Sequence, residues 1–250
     1  MKRALHFAFA FVAILATALP SARAAEKVDL LLVLAADVSR SVDARKFQLQ
    51  REGYAAAISD RRVLEAIQGG RNGRIGLTFI EWSGFGNQKT VIDWTIIDGP
   101  KAGQAFGDRL LESPRSFADR TAISGGIEAA VAQLARAPFT ADRQTIDVSG
   151  DGTNNAGRDV TLARDEALKL GITINGLVIL SDQPLPWNPE HTNPPGGLAK
   201  YYQDNVTGGP GSFVMEAKDF NSFGEAIIKK MIAEIAQAAR PGRQAALPRQ

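Results

Sequence analysis

The sequence predicts an α/β protein: a doubly wound, mostly parallel six-stranded sheet with one antiparallel edge strand and helices on both faces. Three observations lead there. Apolar strand-like runs alternate with amphipathic helix-like segments along most of the chain. The first run is apolar from Leu30 to Ala36 without alternation, as in a strand covered on both faces. Only "GFGN" separates the second and third runs, too short for a parallel crossover, so those two are expected to form a hairpin with the third at an edge.

The strands in order are "VDLLLVLAAD" (28–37), "RIGLTFIEWS" (74–83), "QKTVIDWTII" (88–97), "RQTIDVSG" (143–150), "ITINGLVIL" (172–180) and "SFVMEA" (212–217), each rich in β-branched, leucine or aromatic residues. Helical patterning places helices at 43–59, 101–112, 122–137, 158–170, 196–205 and 219–239. In the last, Phe220, Phe223, Ile227, Ile228, Met231 and Ile235 recur at helical spacing and read as a stripe facing the core. The tail "RPGRQAALPRQ" (240–250) is polar, carries prolines and is expected to be disordered.

Residues 1–24 have the layout of a secretory signal peptide: Lys2 and Arg3, an apolar run from Ala4 to Leu19, then small residues ending Ala22-Arg23-Ala24. Cleavage near Ala24 takes away three basic residues and no acid, so the 29 basic and 27 acidic residues become 26 and 27. The near-neutral balance, with basic residues scattered along the chain, argues against nucleic acid as a partner. There is no cysteine, so thiolate catalysis, zinc-thiolate sites and disulfides are excluded and the core must hold the fold. Residues 25–239 are read as one exported domain with no membrane span, in the periplasm or secreted.

One long irregular stretch, "SDQPLPWNPEHTNPPGG" (181–197), follows a parallel strand and is expected either to rim a binding site or to be a decoration. It holds Trp187 and His191. The only other histidine is His6, in the leader, and His191 is expected at the solvated surface.

In open α/β sheets, ligands bind at the carboxyl ends of the parallel strands, where the strand order reverses. Asp37, Ser39 and Ser41 follow the first strand, Thr121 precedes a helix in "DRTAISGGIEAA", and Asp151 follows "TIDVSG". Two carboxylates and three hydroxyls make an all-oxygen set, suited to Mg²⁺, Mn²⁺ or Ca²⁺ and not to zinc or copper. The competing explanation is that Ser41, Thr121 and Asp151 merely cap helices or turns.

With these residues in hand, the sequence resembles the von Willebrand factor type A domain. Its metal-ion-dependent adhesion site is written D-x-S-x-S, then a distant Thr, then an Asp in a D-G turn. These read here as Asp37-Val-Ser39-Arg-Ser41, Thr121 in "RTAISGGI" and Asp151 in "VSGDGTNN". The stretch "YYQDNVTGGPGSFVMEAKDFNSFGEAI" is similar to the C-terminal signature of an uncharacterised group of exported bacterial proteins in this superfamily.

The resemblance implies direct coordination by Ser39 and Ser41, Thr121 directly or through water, and Asp37 and Asp151 mainly through waters. An acidic side chain of a protein partner would complete the shell, with no enzymatic activity. Arg40 departs from the small residue usual at its position.

An alternative is a haloacid-dehalogenase-like Mg²⁺-dependent phosphohydrolase, since "SGDGTNN" resembles G-D-G-x-N-D. That chemistry needs a second acid two residues after the nucleophilic Asp, where Ser39 stands, and Asn155 replaces the motif's last Asp. A structural domain of the same fold without metal is the other alternative. Serine hydrolysis lacks its nucleophile elbow, and no phosphate-cradling loop is present.

Overall fold

The computed structural model describes residues 25–181 and 185–239. The expected signal peptide and tail lie outside the described residues. In chain order the elements are β1 (Glu26–Lys27), β2 (Leu31–Asp37), α1 (Ala44–Ser59), α2 (Arg61–Gln68), β3 (Ile75–Trp82), β4 (Gln88–Ile97), α3 (Pro100–Glu112) and α4 (Ile123–Ala135). There follow β5 (Phe139–Thr140), β6 (Gln144–Gly150), α5 (Val160–Lys169), β7 (Thr173–Ile179), α6 (Pro189–Thr192), α7 (Leu198–Asn205), β8 (Val214–Ala217) and α8 (Phe223–Ala239).

The main sheet runs β4-β3-β2-β6-β7-β8. All its pairs are parallel except β3 with β4, which forms the expected hairpin at the edge. Strand β2 sits at the centre and all seven of its residues are buried. Successive side chains leave a strand on opposite faces. Leu32, Leu34 and Ala36 therefore pack with Tyr54, Ile58, Phe106, Phe223, Ile227 and Met231 from α1, α3 and α8. Leu31, Val33 and Ala35 pack with Ile123, Ile127, Ala163 and Tyr202 from α4, α5 and α7. This double burial is why the strand reads as an unbroken apolar run.

Beyond the short helix α6 inside the stretch read as irregular, three features depart from the sequence expectation. The first helical stretch is followed by a separate helix, α2, because Asp60 ends α1 in an extended conformation and caps α2 by accepting from Arg62 N. The segment before β2 contributes a two-residue strand, β1, paired with β5 in a small second sheet. The last helix begins at Phe223, not at 219, because Asp219 and Ser222 exchange hydrogen bonds in a turn before it.

Chain order reverses at β2, whose neighbours are β3 on one side and β6 on the other. The carboxyl ends of β2 and β6 lie side by side, Ala36 opposite Ser149, so Asp37 and Asp151 leave the sheet at the same crevice.

Candidate functional site

The loop after β2 is held from three sides. Val38 N donates to Trp82 O at 2.9 Å and Arg40 N to Asp119 O at 2.8 Å, while Arg115 Nη2 donates to the carbonyls of Val38 and Ser39 at 2.6 and 2.8 Å. Within the loop, Ser39 N donates to Asp37 Oδ1 at 2.7 Å. The hydroxyls of Ser39 and Ser41 are 3.1 Å apart, and Ser41 Oγ donates to Asp151 Oδ1 at 2.5 Å. Four of the five sequence-predicted oxygens thus form one contiguous group. Asp37, Ser39, Thr121 and Asp151 are buried and Ser41 is half-buried.

Thr121 joins through the turn after β6. Asn155 Oδ1 accepts from Thr121 N at 2.9 Å, Asn155 N donates to Thr121 O at 2.8 Å, and Asn154 Oδ1 accepts from Ser124 N at 3.1 Å. Ser41 and Thr121 line one cavity of about 390 Å³ with Arg40, Asp119, Arg120 and His191.

None of these oxygens caps a helix. The side-chain cap of α1 is Asp43, accepting from Lys46 N; α4 has no side-chain cap; and α5 is capped by Asp159. The capping explanation accordingly fails at all three positions.

Burial, then the negative charge of Asp151, raises the Asp37 carboxyl from its usual value to about 8. Asp37 Oδ2 is buried without a hydrogen-bond partner, as is the Tyr202 hydroxyl. Both border the same point, since a Cβ built on Gly150 would meet the hydroxyl at 2.4 Å and Oδ2 at 3.2 Å. Lys46 Nζ donates to Ser41 O at 2.8 Å and lies 3.4 Å from Asp151 Oδ2, and the charge of Arg115 also acts on Asp37.

Among the described residues no three His, Cys, Asp or Glu side chains gather as a metal group. The donor set here is two carboxylates with three hydroxyls, a chemistry that fits a hard divalent ion. The orphaned carboxylate oxygen and the like-charged pair both fit such an ion.

His191 corrects the sequence reading. It is 4 % exposed, not a surface residue. Its Nε2 lies 3.2 Å from Thr121 Oγ1, and its carbonyl accepts from Thr153 N at 2.9 Å. Burial lowers its pKa, an effect that the charge of Asp151 partly offsets. The Pro-rich loop does rim the site: Leu185, Trp187 and Asn188 line the same cavity, with Trp187 79 % exposed. Lys46 and Arg115 carried no sequence signal; Asn155 entered only as the residue in place of the phosphohydrolase motif's last Asp, and His191 stood out as the sole histidine beyond the leader.

The fold is that of a von Willebrand factor type A domain. The chain belongs to the family described as "Protein of unknown function (DUF1194)", whose model matches residues 27–239. Among curated proteins none matches the sequence. Among solved structures, proximal thread matrix protein 1 from the mussel byssus superposes with TM-score 0.58 at 12 % identity, over 84 % of this chain and 47 % of that one. Another structure of that protein is described with a zinc-occupied MIDAS motif (TM-score 0.55, 16 % identity, 83 % and 48 % covered). The von Willebrand factor type A protein from Catenulispora acidiphila gives 0.52 at 13 % identity, over 86 % and 43 %. The chain thus spans about half the length of these structures. At such identities the likeness establishes the fold.

Proposed function

We propose that this chain is an exported domain that captures a protein partner through a divalent cation held by Asp37, Ser39, Ser41, Thr121 and Asp151. Mg²⁺, Mn²⁺ or Ca²⁺ is the ion class, and an acidic side chain of the partner completes its shell. One observation supports the reading: four of these residues form one hydrogen-bonded group, with Thr121 lining the same cavity as Ser41, none caps a helix, and the buried Asp37 Oδ2 has no partner. When bound, the cation supplies an electrophilic docking point for a carboxylate.

The protein's own residues do the rest. Arg115 fixes the loop backbone, Asn155 fixes Thr121, and Arg40 and Arg120 at the cavity rim favour an acidic ligand. Trp187 offers the exposed aromatic surface typical of interface hot spots. The phosphohydrolase alternative is disfavoured because Ser39 occupies the position of the required acid and Asn155 is committed to the Thr121 backbone. Periplasmic or secreted location follows from the leader pattern; no described helix is long and apolar enough to cross a membrane.

Affinity capture with tagged mature protein tests the function. A partner recovered in Mg²⁺ or Mn²⁺, lost in EDTA and lost with Ser39→Ala, is the expected outcome. Recovery indifferent to both EDTA and Ser39→Ala would remove the metal-docking reading. Hydrolysis of an aryl phosphate by wild type, absent in Asp37→Asn, would replace it with the phosphohydrolase.

A further inference from the structure

The site also holds a nitrogen. The His191 ring lies edge-on against the turn after β6, so closely that a Cβ on Gly152 would come within 2.2 Å of Nε2. Its two nitrogens face different groups. Nδ1 is 3.2 Å from Thr153 Oγ1, with Asn155 Nδ2 further off at 3.4 Å. Nε2 is 3.2 Å from Thr121 Oγ1, and ring and hydroxyl border the cavity that Ser41 also lines.

A metal-binding histidine has one nitrogen free for the ion and the other anchored by a neighbour that fixes the tautomer. Thr153 can accept the Nδ1 proton, which leaves the Nε2 lone pair directed toward Thr121; the longer Asn155 Nδ2 contact, which can only donate to Nδ1, belongs to the opposite tautomer. Two donors that share an ion, each about 2.1 Å from it, stand roughly 3.0 to 3.4 Å apart. The Ser39–Ser41 hydroxyl pair, at 3.1 Å, and the His191–Thr121 pair, at 3.2 Å, both have that spacing.

We propose that His191 Nε2 is a further donor to the cation, which makes the site a mixed nitrogen and oxygen site that selects Mn²⁺ or Zn²⁺ over Mg²⁺ or Ca²⁺. The proposal rests on the cation-binding reading of the same site and reverses the metal preference that the oxygens alone suggest. Imidazole favours later divalent ions, whereas carboxylate and hydroxyl sets favour hard ones. It also ties the Pro-rich loop to the ion, because His191 is contributed by that loop.

His191 is the only histidine in residues 25–250, so [¹⁵N]histidine labels it alone in mature protein carrying no histidine tag. Pulsed electron paramagnetic resonance of Mn²⁺-loaded wild type should detect a nitrogen coupling that changes with the label. Zn²⁺ affinity by calorimetry should fall roughly tenfold or more in His191→Gln, while Mg²⁺ affinity stays within about threefold. A Mn²⁺ spectrum without histidine coupling overturns the proposal, and this measurement needs no variant to fold. Unchanged Zn²⁺ affinity in a folded His191→Gln also overturns it. If either result accompanies a Ser39→Ala variant that loses the ion, the docking site survives and only the nitrogen ligand falls. If wild type takes up no divalent ion, both fall.

Discussion

Two groups of buried acids in this molecule differ in how closely a lysine compensates them. At the crevice, Asp37 and Asp151 are buried together, and the only nearby ammonium, Lys46, is part-exposed and reaches Asp151 at 3.4 Å. Beneath the other face of the sheet, Asp147 of β6 and Glu234 of α8 flank Lys230, whose Nζ is 2.7 Å from Asp147 Oδ1 and 2.6 Å from Glu234 Oε1. Asn175 Nδ2 donates to the same Glu234 oxygen at 2.8 Å.

Burial raises both aspartates, Asp37 to about 8 and Asp147 to about 7. The leading charge acting on Asp37 is another acid, which adds to the rise; on Asp147 it is Lys230, which opposes it. A network that supplies its own counter-charge is part of the fold. At the crevice, the proposed cation would supply that counter-charge.

The largest expected effect tests the self-contained network. Lys230→Met leaves two buried acids without a counter-charge and should destabilise the fold by about 3 to 5 kcal/mol. Lys46→Met, at a part-exposed pair, should cost less than about 1 kcal/mol. Urea denaturation of both variants makes the test, and equal losses would erase the distinction.

Next comes the ion. At 100 times its dissociation constant, a divalent cation that binds only the folded state should add about 2.7 kcal/mol. For a domain of this size that is roughly 5 to 10 °C in melting temperature. Asp151→Ala should gain nothing from Mg²⁺, Mn²⁺ or Zn²⁺, yet melt in EDTA within about a degree of wild type, since it also relieves the repulsion on Asp37. A wild-type curve indifferent to every ion, with a mutant destabilised equally in all of them, would count against the crevice as a cation site.

A further test is the pH dependence in EDTA. An acid whose folded-state pKa is raised stabilises fully below its unfolded value near 4 and loses that contribution as pH rises through the folded value. With Asp37 at about 8 and Asp147 at about 7, the melting temperature should fall between pH 5 and 8.5. Asp151→Asn should lessen, without removing, the part due to Asp37, whose larger cause is burial, and saturating cation should lower it in wild type. A melting temperature that rises across this range would contradict both assignments.

Much of this was legible in the chain. The unbroken apolar run of β2 marks a strand covered on both faces, and the four-residue link between β3 and β4 forces a hairpin. Asp37, Ser39, Ser41, Thr121 and Asp151 could be named because strand ends and their hydroxyl and carboxyl residues are local signals. Helix α2 was missed because a change of direction at one capping residue, Asp60, leaves the hydrophobic pattern nearly continuous.

What the sequence determined by itself was therefore everything set by short-range pattern: the strands, their hairpin, the absence of thiol chemistry and the candidate oxygens. Only the tertiary structure decided that those oxygens are not helix caps, that a fully buried Lys230 pairs with Asp147 while Asp37 faces Asp151, and that His191 is buried beside Thr121. The physical reason is distance along the chain. His191 is 70 residues from Thr121, and burial and charge pairing between such residues are set by how the loops fold back over the sheet edge.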